Sequence, residues 1–157
     1  MLIEADETNT MILMFDEVLR LSTRLQSLFA GARAPSGLSP MEGMVLAAVV
    51  QAPTPPTVPK IGRSLGHARQ VVQRAANSLI ESGLITTSIN PDHKRAPLLL
   101  ATSDGKYLKA LTDTRAIASA SALLRVVDPD KCARLTEEMR VLRHEIEEHL
   151  RSRPEEA

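Results

Sequence analysis

The sequence predicts a mainly α-helical chain with one small β-hairpin, and three observations lead to that class. Phe15, Phe29 and Tyr107 are the only aromatic residues among 157, so the apolar 43% is almost wholly aliphatic. A core of Leu, Ala, Met and Val favours helices over a sandwich or barrel. Apolar residues recur at steps of three and four along most of the chain, the spacing of one helix face. Between Leu84 and Ala101 this changes to two short β-branched and apolar runs around a polar turn, which reads as a hairpin. The length suits a single domain over 1–157 and is too short for two ordinary ones.

Residues 1 to 9 show no periodic pattern and are expected to fray. From Thr10 to about Ala30, Met11, Met14, Phe15, Val18, Leu21, Leu25, Leu28 and Phe29 mark an amphipathic helix that Gly31 should end. Ser39-Pro-Met-Glu42 is a capping box with proline at the first helical position. The helix it opens should bury Met41, Met44, Val45, Ala48 and Val49, and Ala52-Pro-Thr-Pro-Pro56 stops it.

Thr57 caps a short helix through Ile61 and Leu65, which closes at Gly66, where a left-handed turn costs glycine least. A longer helix over about 67–83 should bury Val71 or Val72, Ala75, Leu79 and Ile80. Its other face shows Arg69, Gln70, Gln73, Arg74 and Asn77. Arg, Gln and Asn are the side chains able to make bidentate contacts with guanine and adenine edges. Leu84 to Ile89 and Pro97 to Ala101 are the two strands, joined by a basic tip from Asn90 to Ala96. Ser103 or Thr102 caps a long helix to about Val127, with Tyr107, Leu108, Leu111, Ile117 and Leu124 on apolar positions. Asp128-Pro129 opens the last helix, in which Leu135, Met139, Leu142 and Ile146 form a coiled-coil-like seam.

Helix, tight turn, helix and hairpin in that order are the layout of a winged helix-turn-helix, whose second helix enters a DNA groove. The formal net charge is zero, but its distribution matters more than its sum. Lys60, Arg63, Arg69, Arg74, Lys94 and Arg95 face only Glu81 and Asp92 between residues 60 and 95, whereas nine acids outnumber six bases from residue 128 onward. An anionic partner would sit on the basic middle.

Several motifs stand at characteristic spacings: Gly-x-x-Arg-Gln-x-Val-Gln-Arg from Gly66 to Arg74, Leu79-x-x-x-Gly83-Leu84-Ile85, Asn90-Pro-Asp-x-Lys-Arg95, and Leu98-Leu-Leu-Ala-Thr-x-x-Gly105. Over about residues 10 to 152 the chain resembles the MarR family of bacterial transcriptional regulators. The resemblance implies a homodimer with a helical dimerisation base from 10–31 and 103–152, and a winged helix-turn-helix lobe over 38–102. Within that lobe the recognition helix spans about 67–83 and the wing about 84–101. It implies Arg69, Gln70, Gln73 and Arg74 in the major groove, Arg95 in the minor groove with Asp92 buttressing the wing, and Lys94 at a phosphate; His67 and His93 flank the same surface and read as phosphate-facing.

It further implies a ligand-responsive repressor on a pseudo-palindromic operator in double-stranded DNA, with a small aromatic ligand as effector. Two departures stand out. Ala68 replaces the family's usual Ser or Thr before the recognition helix, a cap worth about 0.5–2 kcal/mol, and Ala101-Thr102 replaces Leu-Thr.

Other residues point to less. Cys132, the single cysteine, is a candidate redox thiol because a helix N-terminus lowers thiol pKa; an inert packed thiol is the plainer reading. His67 and His93 lack a nearby carboxylate or thiolate partner, and His144 and His149 are five apart, so no metal or cofactor is expected. Met11, Met14, Met41 and Met44 suit an adaptable pocket or ordinary core packing. No nucleophile motif or glycine-rich phosphate loop suggests an enzyme. Without a long apolar run, and with Glu4, Asp6 and Glu7 at the start, the expected location is cytoplasmic, away from membranes. The competing reading is a dimeric protein–protein adaptor or antirepressor that kept the fold and lost tight DNA binding.

Overall fold

The computed structural model describes residues 5–152. Their elements run α1 (Ala5–Arg33), α2 (Pro40–Gln51), α3 (Val58–Leu65), α4 (Arg69–Glu81), β1 (Ile85–Ser88), β2 (Leu98–Ala101), α5 (Ser103–Leu123) and α6 (Pro129–Ser152). They form two compact units, the first ending at Ile117 and the second beginning at Ala118. The chain is therefore mainly α with one two-stranded antiparallel hairpin, as predicted.

Helix α1 begins at Ala5, ahead of the expected Thr10, and passes through Gly31 to Arg33. Gly31 keeps helical geometry; the left-handed residue is Gly37, with φ +69°, after a 3-10 turn over Ala34–Ser36. Of the expected fraying segment, residues 1–4 lie outside the described residues. Helix α5 stops at Leu123, short of Val127, and turns through Val126 before Asp128 opens α6 by accepting the Asp130 N–H at 3.0 Å.

The core belongs to the first unit. Val45, Leu46 and Val49 of α2, Val58 and Ile61 of α3, Val72, Ala75, Ala76 and Leu79 of α4, and Ile85 and Leu99 of the hairpin pack together. Two expected positions change places: Met44 and Ile80 are exposed, while Leu46 and Ala76 are buried. The stretch Val45-Leu-Ala-Ala-Val-Val50 is apolar on every side, so its periodicity cannot choose a face. The stripe on α1 stays open: Met11, Phe15, Val18, Leu21, Leu25 and Leu28 are all exposed in the single chain. Tyr107 and Ile117 of α5 and Leu124 just after it are likewise exposed, as are Leu135, Met139 and Ile146 on α6. Periodicity reports that a face favours cover; it does not say which chain supplies it.

One junction joins the recognition helix, the wing and α5. Gly83, at φ +70°, ends α4 in a Schellman turn, with Leu84 N–H donating to Leu79 C=O at 2.9 Å. Leu84 C=O in turn accepts the Thr102 backbone N–H at 3.1 Å, while the Thr102 hydroxyl donates to the neighbouring Gly83 C=O at 2.7 Å. That hydroxyl oxygen accepts the Gly105 N–H at 3.1 Å, which caps α5. Gly105 lies so close that a Cβ built there would fall 2.0 Å from the Leu84 oxygen. The hairpin pairs Ile85 with Ala101 and Ser88 with Leu98, and Leu99 N–H donates to Pro56 C=O at 2.8 Å. Pro56 is itself buried, so the proline-rich linker flanks β2 as well as ending α2.

Gly105→Ala is expected to cost at least about 1–3 kcal/mol, because backbone must shift to admit the methyl group. Gly43→Ala, in a helix interior where a Cβ would meet nothing within 4 Å, should gain about 0.5–1 kcal/mol. Denaturant unfolding midpoints of the two variants check this contrast; equal midpoints would contradict it.

Candidate nucleic-acid interface

The turn between α3 and α4 is set by two glycines. Gly66 takes the left-handed conformation, φ +67°, as expected. Gly62 allows the chain to fold back, since a Cβ there would meet the His67 carbonyl oxygen at 3.0 Å. His67 N–H donates to Gly62 C=O at 3.0 Å, so His67 belongs to this turn and lies ahead of α4. Ala68 occupies the N-cap, with no side chain bonding to the first turn. The first N–H groups of α4 therefore have no side-chain acceptor, and His67 does not supply one.

Besides its buried face, α4 is tied to another helix by a carboxylate. The capping box predicted at Ser39 is formed: Ser39 N–H donates to Glu42 Oε2 at 2.7 Å and Glu42 N–H donates to Ser39 Oγ at 3.3 Å. The other oxygen, Glu42 Oε1, accepts the Ser78 hydroxyl of α4 at 2.5 Å. One carboxylate thus caps α2 and tethers the recognition helix. Ser78 first, then Ser39, holds the Glu42 carboxyl below its ordinary range. No local pattern links residues 36 apart, which is why the sequence reading missed Ser78.

Arg69, Gln70 and Arg74 are exposed on α4, and Gln73 is half-buried. On the wing, Asp92, His93, Lys94 and Arg95 are all exposed. Among the described residues none of Arg69, Arg74, Lys94 and Arg95 is held in an ion pair. These cations are uncompensated, in the same lobe as the helix-turn-helix.

The wing tip is closed by Asn90, only 8% exposed, whose Nδ2 donates to Ala96 C=O at 2.8 Å. Asn90 Oδ1 accepts the Asp92 N–H at 3.1 Å, an Asx turn that the Asn-Pro-Asp sequence could have signalled. Asp92, expected to buttress the wing, contributes its backbone N–H to this turn while its side chain stays exposed. Cys132 is exposed in the first turn of α6, in the second unit.

A family model described as the MarR family matches residues 36–96, from the turn before α2 to the end of the wing tip. This segment is a MarR-family winged helix. An uncharacterized protein of Mycobacterium tuberculosis is 47% identical over 74 residues, which are 46% of this chain and 51% of that protein. The chain thus spans about half the length of the curated relatives it matches.

Among solved structures, a MarR family transcriptional regulator from Rhodococcus sp. RHA1 superposes with TM-score 0.72 at 16% identity, covering 90% of this chain and 96% of that one. The repressor CouR bound to a 23-mer DNA duplex superposes with TM-score 0.72 at 21% identity, covering 80% and 89%. CouR of Rhodococcus jostii RHA1 bound to p-coumaroyl-CoA does so with TM-score 0.68 at 20% identity, covering 83% and 88%. At these identities the likeness establishes the MarR fold beyond the matched segment. No described helix is long and apolar enough to cross a membrane.

The Glu42 tether makes stability depend on pH with a definite sign. Its folded pKa lies below the unfolded value, so its contribution is complete above the ordinary carboxylate range and is lost as pH falls through the folded value. Unfolding midpoints of the parent are expected to drop over that acid interval, with Glu42→Gln giving a flatter profile. Parallel profiles for the two proteins would remove Glu42 from this role.

Proposed function

We propose that this chain is a sequence-specific DNA-binding transcriptional regulator acting as a homodimer on a pseudo-palindromic operator. One observation carries the reading: exposed and unpaired Arg69 and Arg74 on the second helix of a helix-turn-helix, with Lys94 and Arg95 on its wing. Unpaired cations in that setting are suited to phosphate and base contacts. Arg69 or Arg74 reads guanine in the major groove, Gln70 and Gln73 face adenine or the backbone, and His67 faces a phosphate. Arg95 reaches the adjacent minor groove, Lys94 adds a phosphate contact, and Asp92 helps to keep the wing in shape.

Homodimerisation is the reading we favour because the apolar stripe of α1 and the seam of α6 are exposed in the single chain, and a second copy would cover them. Two recognition helices would then meet successive major grooves about 34 Å apart. Repression relieved by a small aromatic ligand is the regulation we favour, since a regulator of like fold was solved with an aromatic acyl-CoA. Such a ligand must prefer a dimer whose helices are wrongly spaced, because equal affinity for both states shifts nothing. The uncapped Ala68 favours a second reading, an adaptor with weak DNA affinity.

Selection of duplexes from a randomised library by the full-length chain, followed by fluorescence anisotropy, separates the two. We expect binding that exceeds a scrambled duplex by about a thousandfold or more. Arg95→Ala should reduce the slope of log K against log salt by about one. Replacing whichever of Arg69 and Arg74 reads guanine should cost about 1–3 kcal/mol and relax one base position. Equal and weak binding to every duplex would leave the adaptor.

A further inference from the structure

Gln73 differs from its neighbours on the recognition helix. The side chains of Arg69, Gln70 and Arg74 make no hydrogen bond or ion pair among the described residues. Gln73 Nε2, by contrast, donates to Oδ1 of Asn77 at 2.9 Å, one helical turn further on. Residues four apart on a helix are surface neighbours, so the bond needs no distortion.

Its chemical consequence lies in what remains free. A glutamine amide has two N–H donors and one carbonyl oxygen. With one N–H taken by Asn77, one N–H and the oxygen are left. Adenine presents N7 as an acceptor and its N6 amino group as a donor in the major groove, so it demands that pair. An unheld glutamine would also lose rotamer freedom on meeting a base; the bond to Asn77 orders the amide beforehand. Gln73 is the fifth residue of α4 and Asn77 the ninth. A recognition helix touches bases mainly through its N-terminal residues, which places Gln73 on the base side and Asn77 behind it.

We propose that Asn77 is a positioning residue for Gln73, and that the pair selects adenine at one position of each operator half-site. This rests on the DNA-binding reading above. Asn77 then sets specificity without touching a base, and its loss changes which sequence is preferred more than how tightly DNA is held.

The test uses the full-length chain and the duplex it enriches from a randomised library. Affinities are measured for that duplex and for versions with each A·T pair replaced, using the parent, Asn77→Ala, Gln73→Ala and the double variant. Both single variants should lose discrimination at the same adenine, by about tenfold. The double variant should lose no more than either alone, with salt slope and unfolding midpoint unchanged. Asn77→Asp keeps the acceptor oxygen, so it should keep the discrimination while weakening all duplexes alike. Three results overturn the proposal: intact adenine discrimination in Asn77→Ala, a uniform loss across all duplexes in Asn77→Ala, or additive losses in the double variant. Enrichment of no duplex at all overturns the DNA-binding reading itself, and this inference with it.

Discussion

The carbonyl of Leu84 is the point on which the lobe turns. It accepts the Thr102 N–H, and its oxygen leaves room at Gly105 only for a hydrogen atom. The same residue's N–H closes the end of the recognition helix on Leu79. Three elements meet within a few bonds: the end of α4, the start of β1 and the first turn of α5. Because interiors are close-packed and their side chains rotamer-locked, a junction of this kind transmits displacement instead of absorbing it. Movement of α5 would therefore pull on wing and recognition helix together, a coupling that a ligand-responsive regulator can use.

At its other side, α4 is held by the Glu42 carboxylate through Ser78. The N-terminal end of α4 is held differently, by the Gly66 turn and the buried Val72. There Ala68 provides no cap, and a phosphate bound at that end would find N–H donors without a competing side chain. Affinity would then depend more on the backbone geometry of the DNA.

Much of this was legible in the sequence, for identifiable reasons. The Ser39–Glu42 capping box, the left-handed Gly66 and the Asp128-Pro129 start are local motifs whose chemistry acts within five residues, and all stand as read. The start of α1 was misjudged because its first two turns carry polar residues in no apolar rhythm. The exchange of Met44 for Leu46 arose where every side of the helix is apolar. In the candidate site, type and spacing singled out the residues of α4 and the wing, of which Arg69, Gln70, Arg74, Lys94 and Arg95 are exposed. Their supports were not: the Ser78 tether joins distant segments, and the Asn77 bond depends on which rotamer Gln73 adopts. Thr102 and Gly105 were seen as a motif, and only the packing against Leu84 shows why glycine is required there.

The functional account depends on two copies acting together. Met11, Phe15, Val18, Leu21, Leu25 and Leu28 of the α1 stripe are exposed in an isolated chain, and one recognition helix alone offers a short, weakly selective contact. The mass of the protein in solution, alone and on its selected duplex, addresses this directly by sedimentation or light scattering. The account predicts two chains in the free protein and two chains on one duplex. A single chain, both free and on saturated DNA, would contradict it.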